Sequence, residues 1–187
     1  MIVVLAIGLA LLIQALVVKP YQIPSGSMEP TLDIGQRVLV DRVNYHFSDP
    51  DVDDIVVFHP PSGATDGGRE CGVEHSSNEP CPMGTSEPSD ENFIKRIVAG
   101  PGDRLQIRDG HPVVNGQMAH EDFTRPCRGL PYCNLPQAIT IPPGEYFMMG
   151  DNRGASDDSR SWGPVPRDWI IGQAFLTYWP PHRIGIL

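Results

Sequence analysis

Two serines, Ser25 and Ser27, stand in the stretch PSGSMEPTL at residues 24–32, where Glu29 is the one ionisable side chain. A serine hydroxyl becomes a nucleophile only when a base takes its proton and donors hold the oxyanion that forms. Six histidines are present (His46, His59, His75, His111, His120 and His182), but none lies in a motif resembling a catalytic triad, and no G-x-S-x-G elbow occurs. Each reads most simply as a surface or loop histidine. Lysine is the other route. Lys19 and Lys95 are the only lysines, and Lys95 lies in the apolar run ENFIKRIVAG. Strand alternation puts Phe93, Lys95 and Ile97 on one face, and a lysine aimed at an apolar interior loses hydration, which lowers its pKa and leaves an amine able to accept a proton. Lysines in strands more often reach back to solvent. The serine stretch 68 positions upstream is what singles this one out.

Positioning these groups falls to short extended segments. Twenty prolines and nineteen glycines interrupt helical patterns and leave runs rich in Val, Ile, Phe and Tyr, which predicts a turn-rich, mostly β architecture. YQIPSGSM is held extended by the residues preceding Pro24 and Pro30. QRVLVDRVNY and DDIVVFHP read as strands, and FIKRIVAG leads to the turn Gly100-Pro101-Gly102-Asp103. RLQIRDGHPVVNG has the rhythm of a hairpin about Asp109-Gly110. A strand ending at Gly150-Asp151-Asn152 precedes the polar loop GDNRGASDDSRSWGPV, and WIIGQAFLTYWP is a further β-like run. The exception is residues 1–18, uncharged and apolar apart from Gln14, which predict a membrane-spanning helix ended by Lys19-Pro20. A buried core helix would show a polar face, and a cleaved leader a basic start and a small-residue cleavage site; neither is visible.

The formal net charge is −9, with 14 basic against 23 acidic side chains, which argues against a nucleic-acid partner. Residues 60–92 form an acidic excursion rich in Gly, Ser and Pro, expected to be mobile and partly stapled. Cys71, Cys81, Cys127 and Cys133 allow three connectivities, of which short loops favour Cys71–Cys81 and Cys127–Cys133. A four-cysteine zinc site would need close C-x-x-C knuckles that are absent, so no metal is expected. Disulfides place everything after residue 18 in an oxidising compartment.

Taken in order after an apolar N-terminal segment, PSGSMEPTL, FIKRIVAGPGD and GDNRGASDDSRSWG resemble the signature boxes of bacterial type I signal peptidases over nearly the whole chain. The resemblance implies that Ser27 is the nucleophile and Lys95 the general base, with Ser25 and the Ser27 backbone N–H forming the oxyanion hole. It implies that Ser156 orients the lysine, and that Arg96, Asp151, Asp158, Ser159 and Arg160 brace the last box. Substrate would add as a strand along Tyr21-Gln22-Ile23 and Asn92-Phe93-Ile94, with Ile23, Met28, Leu32, Phe93 and Ile94 lining shallow pockets for Ala-like residues. Gln36 and Arg42 replace the acid and lysine common in the family's strand box, and Ala99 replaces a common glycine.

The fold implied is mainly β: a signal-peptidase-like antiparallel catalytic domain with a small inserted β subdomain, preceded by an N-terminal transmembrane helix. Its parts are an anchor at 1–18, a first core segment at 19–107 containing the 60–92 excursion, an inserted β subdomain at 108–142, and a second core segment at 143–187. The activity implied is a cofactor-free serine endopeptidase, monomeric and single-pass in the cytoplasmic membrane, with its catalytic domain outside. It would remove signal peptides at Ala-x-Ala sites, and its partners would be preproteins, membrane lipid and the secretion machinery. Two rivals are a cytosolic self-cleaving repressor or mutagenesis protease, which also uses a serine-lysine pair, and a disulfide-stapled surface domain with no catalysis. The apolar segment and the cysteines speak against the first.

Overall fold

The computed structural model of the chain describes Gly8, residues 17–64 and residues 70–187. Twelve strands dominate: β1 (Val18–Gln22), β2 (Arg37–Asp41), β3 (Ile55–Phe58), β4 (Phe93–Ala99), β5 (Arg104–Arg108), β6 (His111–Val114), β7 (Gln117–Met118), β8 (Leu135–Thr140), β9 (Glu145–Met149), β10 (Val165–Pro166), β11 (Ile170–Trp179) and β12 (Gly185–Ile186). One α-helical turn, α1 (Ser159–Trp162), and short 3-10 turns complete the described elements. The mainly β expectation holds, with two antiparallel sheets. The predicted spanning helix lies outside the described residues except for Gly8 and its last two positions. Val17 is in a turn and Val18 opens β1, paired to Asp41, so the extended chain begins just before Lys19-Pro20 rather than after it. Among the described residues no helix is long and apolar enough to cross a membrane.

The larger sheet runs β1-β2-β11-β3-β4-β9-β10, with β12 added to β11, and the smaller runs β7-β6-β5-β8. Every pairing within them is antiparallel. Register shifts interrupt the long strand β11 against β2 and β3, which lets it bend while serving both neighbours. Asp109 and Gly110 form the two-residue turn between β5 and β6, with φ of 52° and 82°, the left-handed pair that such a hairpin requires. Asn115-Gly116 repeats the device between β6 and β7.

Apolar residues bury on both faces of the large sheet. Ile23, Met28, Leu32, Val38, Val40, Ile55, Val57, Ile94 and Ala174 form one cluster, and Val56, Phe58, Ile97, Tyr146, Met148 and Trp162 belong to a second. A third joins the two sheets through Val98, Leu105, Ile107, Ile139, Phe147 and Met149. Ile94 and Ile97 of β4 thus serve different clusters, as strand geometry demands of a central, doubly covered strand. The described part of the acidic excursion packs against the rest of the chain. Pro61 bridges to Pro88, Gly72 N–H donates to Met83 O, and Cys81 N–H donates to the carbonyl of Arg160 on α1.

Candidate active site

Ser27 sits in a single 3-10 turn, Gly26–Met28, directly after the extended segment that leaves β1. Pro24 and Pro30 flank this turn and keep it from growing into a helix. Lys95 is the third residue of β4, opposite Val56 of β3. Its Nζ donates a hydrogen bond to Ser27 Oγ at 2.7 Å, with Ser27 only 7% and Lys95 only 5% exposed. The Phe93 ring lies 5.6 Å from the amine, so the residue two positions back along the strand helps to keep it dry. Burial lowers the Lys95 pKa from 10.5 to about 8, against the upward pull of Asp158 and Asp157. An ammonium donates along the 2.7 Å line; once the proton is lost, the same line lets the serine O–H donate to a neutral amine.

Ser25 precedes the turn in extended conformation, and its exposed hydroxyl stands 3.3 Å from Ser27 Oγ. The backbone of the Gly26–Met28 turn is fixed from outside. Asn152 donates its backbone N–H to Ser27 O and its side-chain Nδ2 to Gly26 O, each at 3.0 Å. Gly150 lies against this contact, where a side chain would overlap both Ser156 Oγ and the Ser27 carbonyl oxygen. Ser156 is buried, and its Oγ lies near the Ser27 carbonyl across Gly150 and close to the Asp158 carboxylate, whose charge it helps to hold.

The polar loop is braced by two charge pairs. Arg96 donates from Nε and Nη2 to Asp151 at 2.9 and 2.8 Å, Thr31 donates to the same carboxylate at 2.5 Å, and Arg96 Nη1 reaches Asp53 O at 2.8 Å. Arg160 holds Asp158 at 2.7 and 2.8 Å, and Gly150 N–H donates to Asp158 at 3.1 Å. Burial pushes the Asp158 carboxyl up, but the charge and hydrogen bonds of Arg160, with the Gly150 N–H, outweigh it and hold the group below the usual carboxylate range. Ser159 Oγ accepts from Met148 N–H at 2.9 Å, tying α1 to β9.

A third pair had no local signal in the sequence. Arg153 is fully buried and grips Glu121, 32 positions away, at 2.7 and 2.6 Å, while donating to Gly110 O at 2.8 Å and Gly150 O at 3.0 Å. It fastens the polar loop to the hairpin of the small sheet. Asn152 and Arg153 could have been singled out only by their place in the polar loop next to Asp151.

A cleft of about 460 Å³ opens over Ser27 and Lys95, lined by Pro24, Ser25 and Gly26 on one wall and by Asn92, Phe93 and Ile94 on the other. Tyr21, Gln22 and Ile23 line a groove that continues it. Of β4, only Arg96 onward pairs with β9, so the β9-side edge of Phe93–Lys95 is left open to a further strand. Met28 and Leu32 are fully buried in the first core cluster and line neither the cleft nor the groove. The cysteines pair as Cys71–Cys81 and Cys127–Cys133. The second bond lies against Arg160, whose Nη1 is 3.7 Å from Cys127 Sγ. Among the described residues no group of three His, Cys, Asp or Glu side chains is placed to hold a metal ion.

Residues 1–179 match a family model described as signal peptidase, peptidase S26. The chain is 39% identical over 182 residues to a probable signal peptidase I-1 of Synechocystis, covering 97% of this chain and 82% of that protein. It is 38% identical over 180 residues to thylakoidal processing peptidase 1 of Arabidopsis thaliana, covering 96% of this chain but 47% of that longer protein. Signal peptidase I of Mycobacterium tuberculosis is 32% identical over 217 residues, covering 98% and 72% of the two chains.

Proposed function

From the premise that the chain belongs to the signal peptidase family, peptidase S26, serine endopeptidases that remove signal peptides from secreted preproteins, we propose that Ser27 is its nucleophile and Lys95 its general base. The observation that carries this reading is the 2.7 Å contact between a buried amine and a buried hydroxyl at the floor of an open cleft. With its pKa lowered to about 8, a useful fraction of Lys95 is neutral near physiological pH.

Ser27 Oγ attacks the scissile carbonyl as its proton passes to Lys95 Nζ, and the oxyanion is met by the Ser27 N–H and the Ser25 hydroxyl. The Lys95 ammonium then protonates the leaving amine, releasing the mature protein and an acyl-Ser27. A water gives its proton to the neutral lysine and attacks the ester; as the second tetrahedral intermediate collapses, the bond to Ser27 Oγ breaks, the Lys95 ammonium returns that proton to Oγ, and the signal peptide leaves with a free carboxyl group. Ser156, buried near the Ser27 carbonyl and engaged with Asp158, is the residue that orients the amine as it gains and loses charge.

The substrate lies extended in the cleft between the Pro24–Gly26 wall and the open edge of Phe93–Lys95, which suits small side chains of the Ala-x-Ala type. The apolar segment ahead of β1 anchors the protein in the cytoplasmic membrane, and the disulfides fit a catalytic domain on the oxidising side, where membrane lipid and the secretion machinery present the preproteins. The protein acts as a monomer. The test is Ser27→Ala together with a serine-reactive acylating probe read by mass spectrometry. The variant should lose cleavage of an Ala-x-Ala preprotein to background while still binding it, and the probe should label Ser27. Undiminished cleavage by Ser27→Ala overturns the assignment.

A further inference from the structure

We propose that the Asn152 side chain is a positioning residue for the oxyanion hole: by holding the Gly26 carbonyl it aims the Ser27 N–H at the substrate oxygen. The inference rests on the reading of Ser27 as nucleophile above and deepens it by naming what orients the main-chain donor of that same site.

The peptide group that carries the Ser27 N–H also carries the Gly26 carbonyl. This bond is trans, so the two dipoles point in opposite directions within one rigid plane. Whatever grips the carbonyl therefore sets the direction of the N–H. Asn152 Nδ2 donates to Gly26 O at 3.0 Å, and the Glu29 backbone N–H donates to the same oxygen at 3.2 Å. The second of these closes the 3-10 turn from within and moves with it. Of the two donors, Asn152 is the one that belongs to a distant part of the chain. It also donates its backbone N–H to Ser27 O at 3.0 Å, which holds the next peptide plane. With both planes held, the two backbone dihedral angles of Ser27 are set, and its N–H and hydroxyl are presented together. A hydrogen bond accepted by the Gly26 carbonyl further polarises the N–H of the same peptide group and strengthens it as a donor.

Asn152 is a firm support for this task. It is half-buried between two buried neighbours, Asp151 and Arg153, and it bridges to Arg125 in parallel. Arg125 N–H donates to Asp151 O at 2.8 Å, Arg153 N–H to Arg125 O at 3.1 Å, and Ala155 N–H to Asn152 O at 3.0 Å. Arg96 grips the side chain of Asp151, and Glu121 that of Arg153. The charge pairs of the polar loop thus reach the oxyanion donor through one amide.

The test compares the native chain with Asn152→Ala and Asn152→Asp, each full-length in detergent, on a preprotein and on an Ala-x-Ala peptide made as a matched ester and thionoester, in which sulfur replaces the carbonyl oxygen. Both variants keep the backbone N–H that holds Ser27 O. The aspartate also keeps the shape of asparagine but, when ionised, offers Gly26 O no donor. On the preprotein, kcat should fall about 10- to 100-fold with KM within about twofold. The rate profile of Asn152→Ala should keep its apparent pKa at about 8 while its plateau drops, because the Lys95–Ser27 contact is untouched. An oxyanion hole favours oxygen over sulfur, the poorer acceptor, so the ratio of kcat/KM for ester over thionoester should fall about tenfold in both variants. That ratio is taken within one enzyme at one pH, so altered basicity of Lys95 or a lower folded fraction cancels. A kcat within about twofold of native, a loss confined to KM, or an unchanged ratio overturns the inference. Cleavage that needs Ser27 but not the Asn152 amide sinks this proposal alone, whereas cleavage that does not need Ser27 sinks the assignment of the nucleophile with it.

Discussion

Replacing Lys95 by Met separates what the amine does for catalysis from its burden on the fold. With a pKa of about 8, roughly one amine in ten is neutral at pH 7, against roughly one in three thousand at the ordinary value of 10.5. The dry site therefore raises the competent fraction about 300-fold, equivalent to about 3 kcal/mol. The same difference is carried as instability. Below pH 8 both folded and unfolded chains hold the proton, and the folded chain holds it at a disadvantage of about 3 kcal/mol. Between pH 8 and 10.5 the folded amine is deprotonated while the unfolded one is not, so this penalty fades and stability rises with pH. Lys95→Met removes the penalty but leaves Ser27 Oγ without its 2.7 Å partner, which offsets about 1 kcal/mol. The variant should be inactive yet about 1–3 kcal/mol more stable than the native chain at pH 7, with the advantage shrinking toward pH 10. Thermal unfolding of the detergent-solubilised chain at both pH values reads this directly. In the native chain kcat/KM should climb about tenfold per pH unit below 8 and level off above it. A flat rate profile between pH 6 and 9, or a methionine variant no more stable at pH 7 than the native chain, refutes the reasoning.

Gly150→Ala forces a methyl group into Ser156 Oγ and the carbonyl of Ser27, so the nucleophile turn or the loop must shift; activity should fall at least tenfold and stability by about 1–3 kcal/mol, and kinetics within twofold of native would show that the loop has slack there. Arg153→Met strands Glu121 in the interior and should cost about 3–5 kcal/mol in thermal or denaturant unfolding, with much of the loss recovered in Arg153→Met/Glu121→Leu; a single variant as stable as the native chain contradicts the pairing.

Sequence by itself determined the strands and the chemistry that is written locally. Alternation of apolar and polar residues located β2 and short apolar runs located β3 and β4, Asp109-Gly110 specified its hairpin because few residues tolerate two successive left-handed conformations, and the loop lengths favoured the cysteine pairs that form. The serine box and the box around Lys95 could be recognised because each is a short run in which identity and spacing are visible without a partner. Tertiary structure decided what depends on distance across the chain. Pairing in the order β1-β2-β11-β3-β4 carries the serine turn and Lys95 to within 2.7 Å, and that order includes a strand from the far end of the sequence. Burial of Met28 and Leu32 away from the cleft, the grip of Arg153 on Glu121, and the clamp of Asn152 on the Gly26–Met28 turn follow from the same assembly. Periodicity says which face of a strand is apolar but not what will cover it. The lysine's basicity is set by that cover, because desolvation is a property of the packed surroundings rather than of the residue.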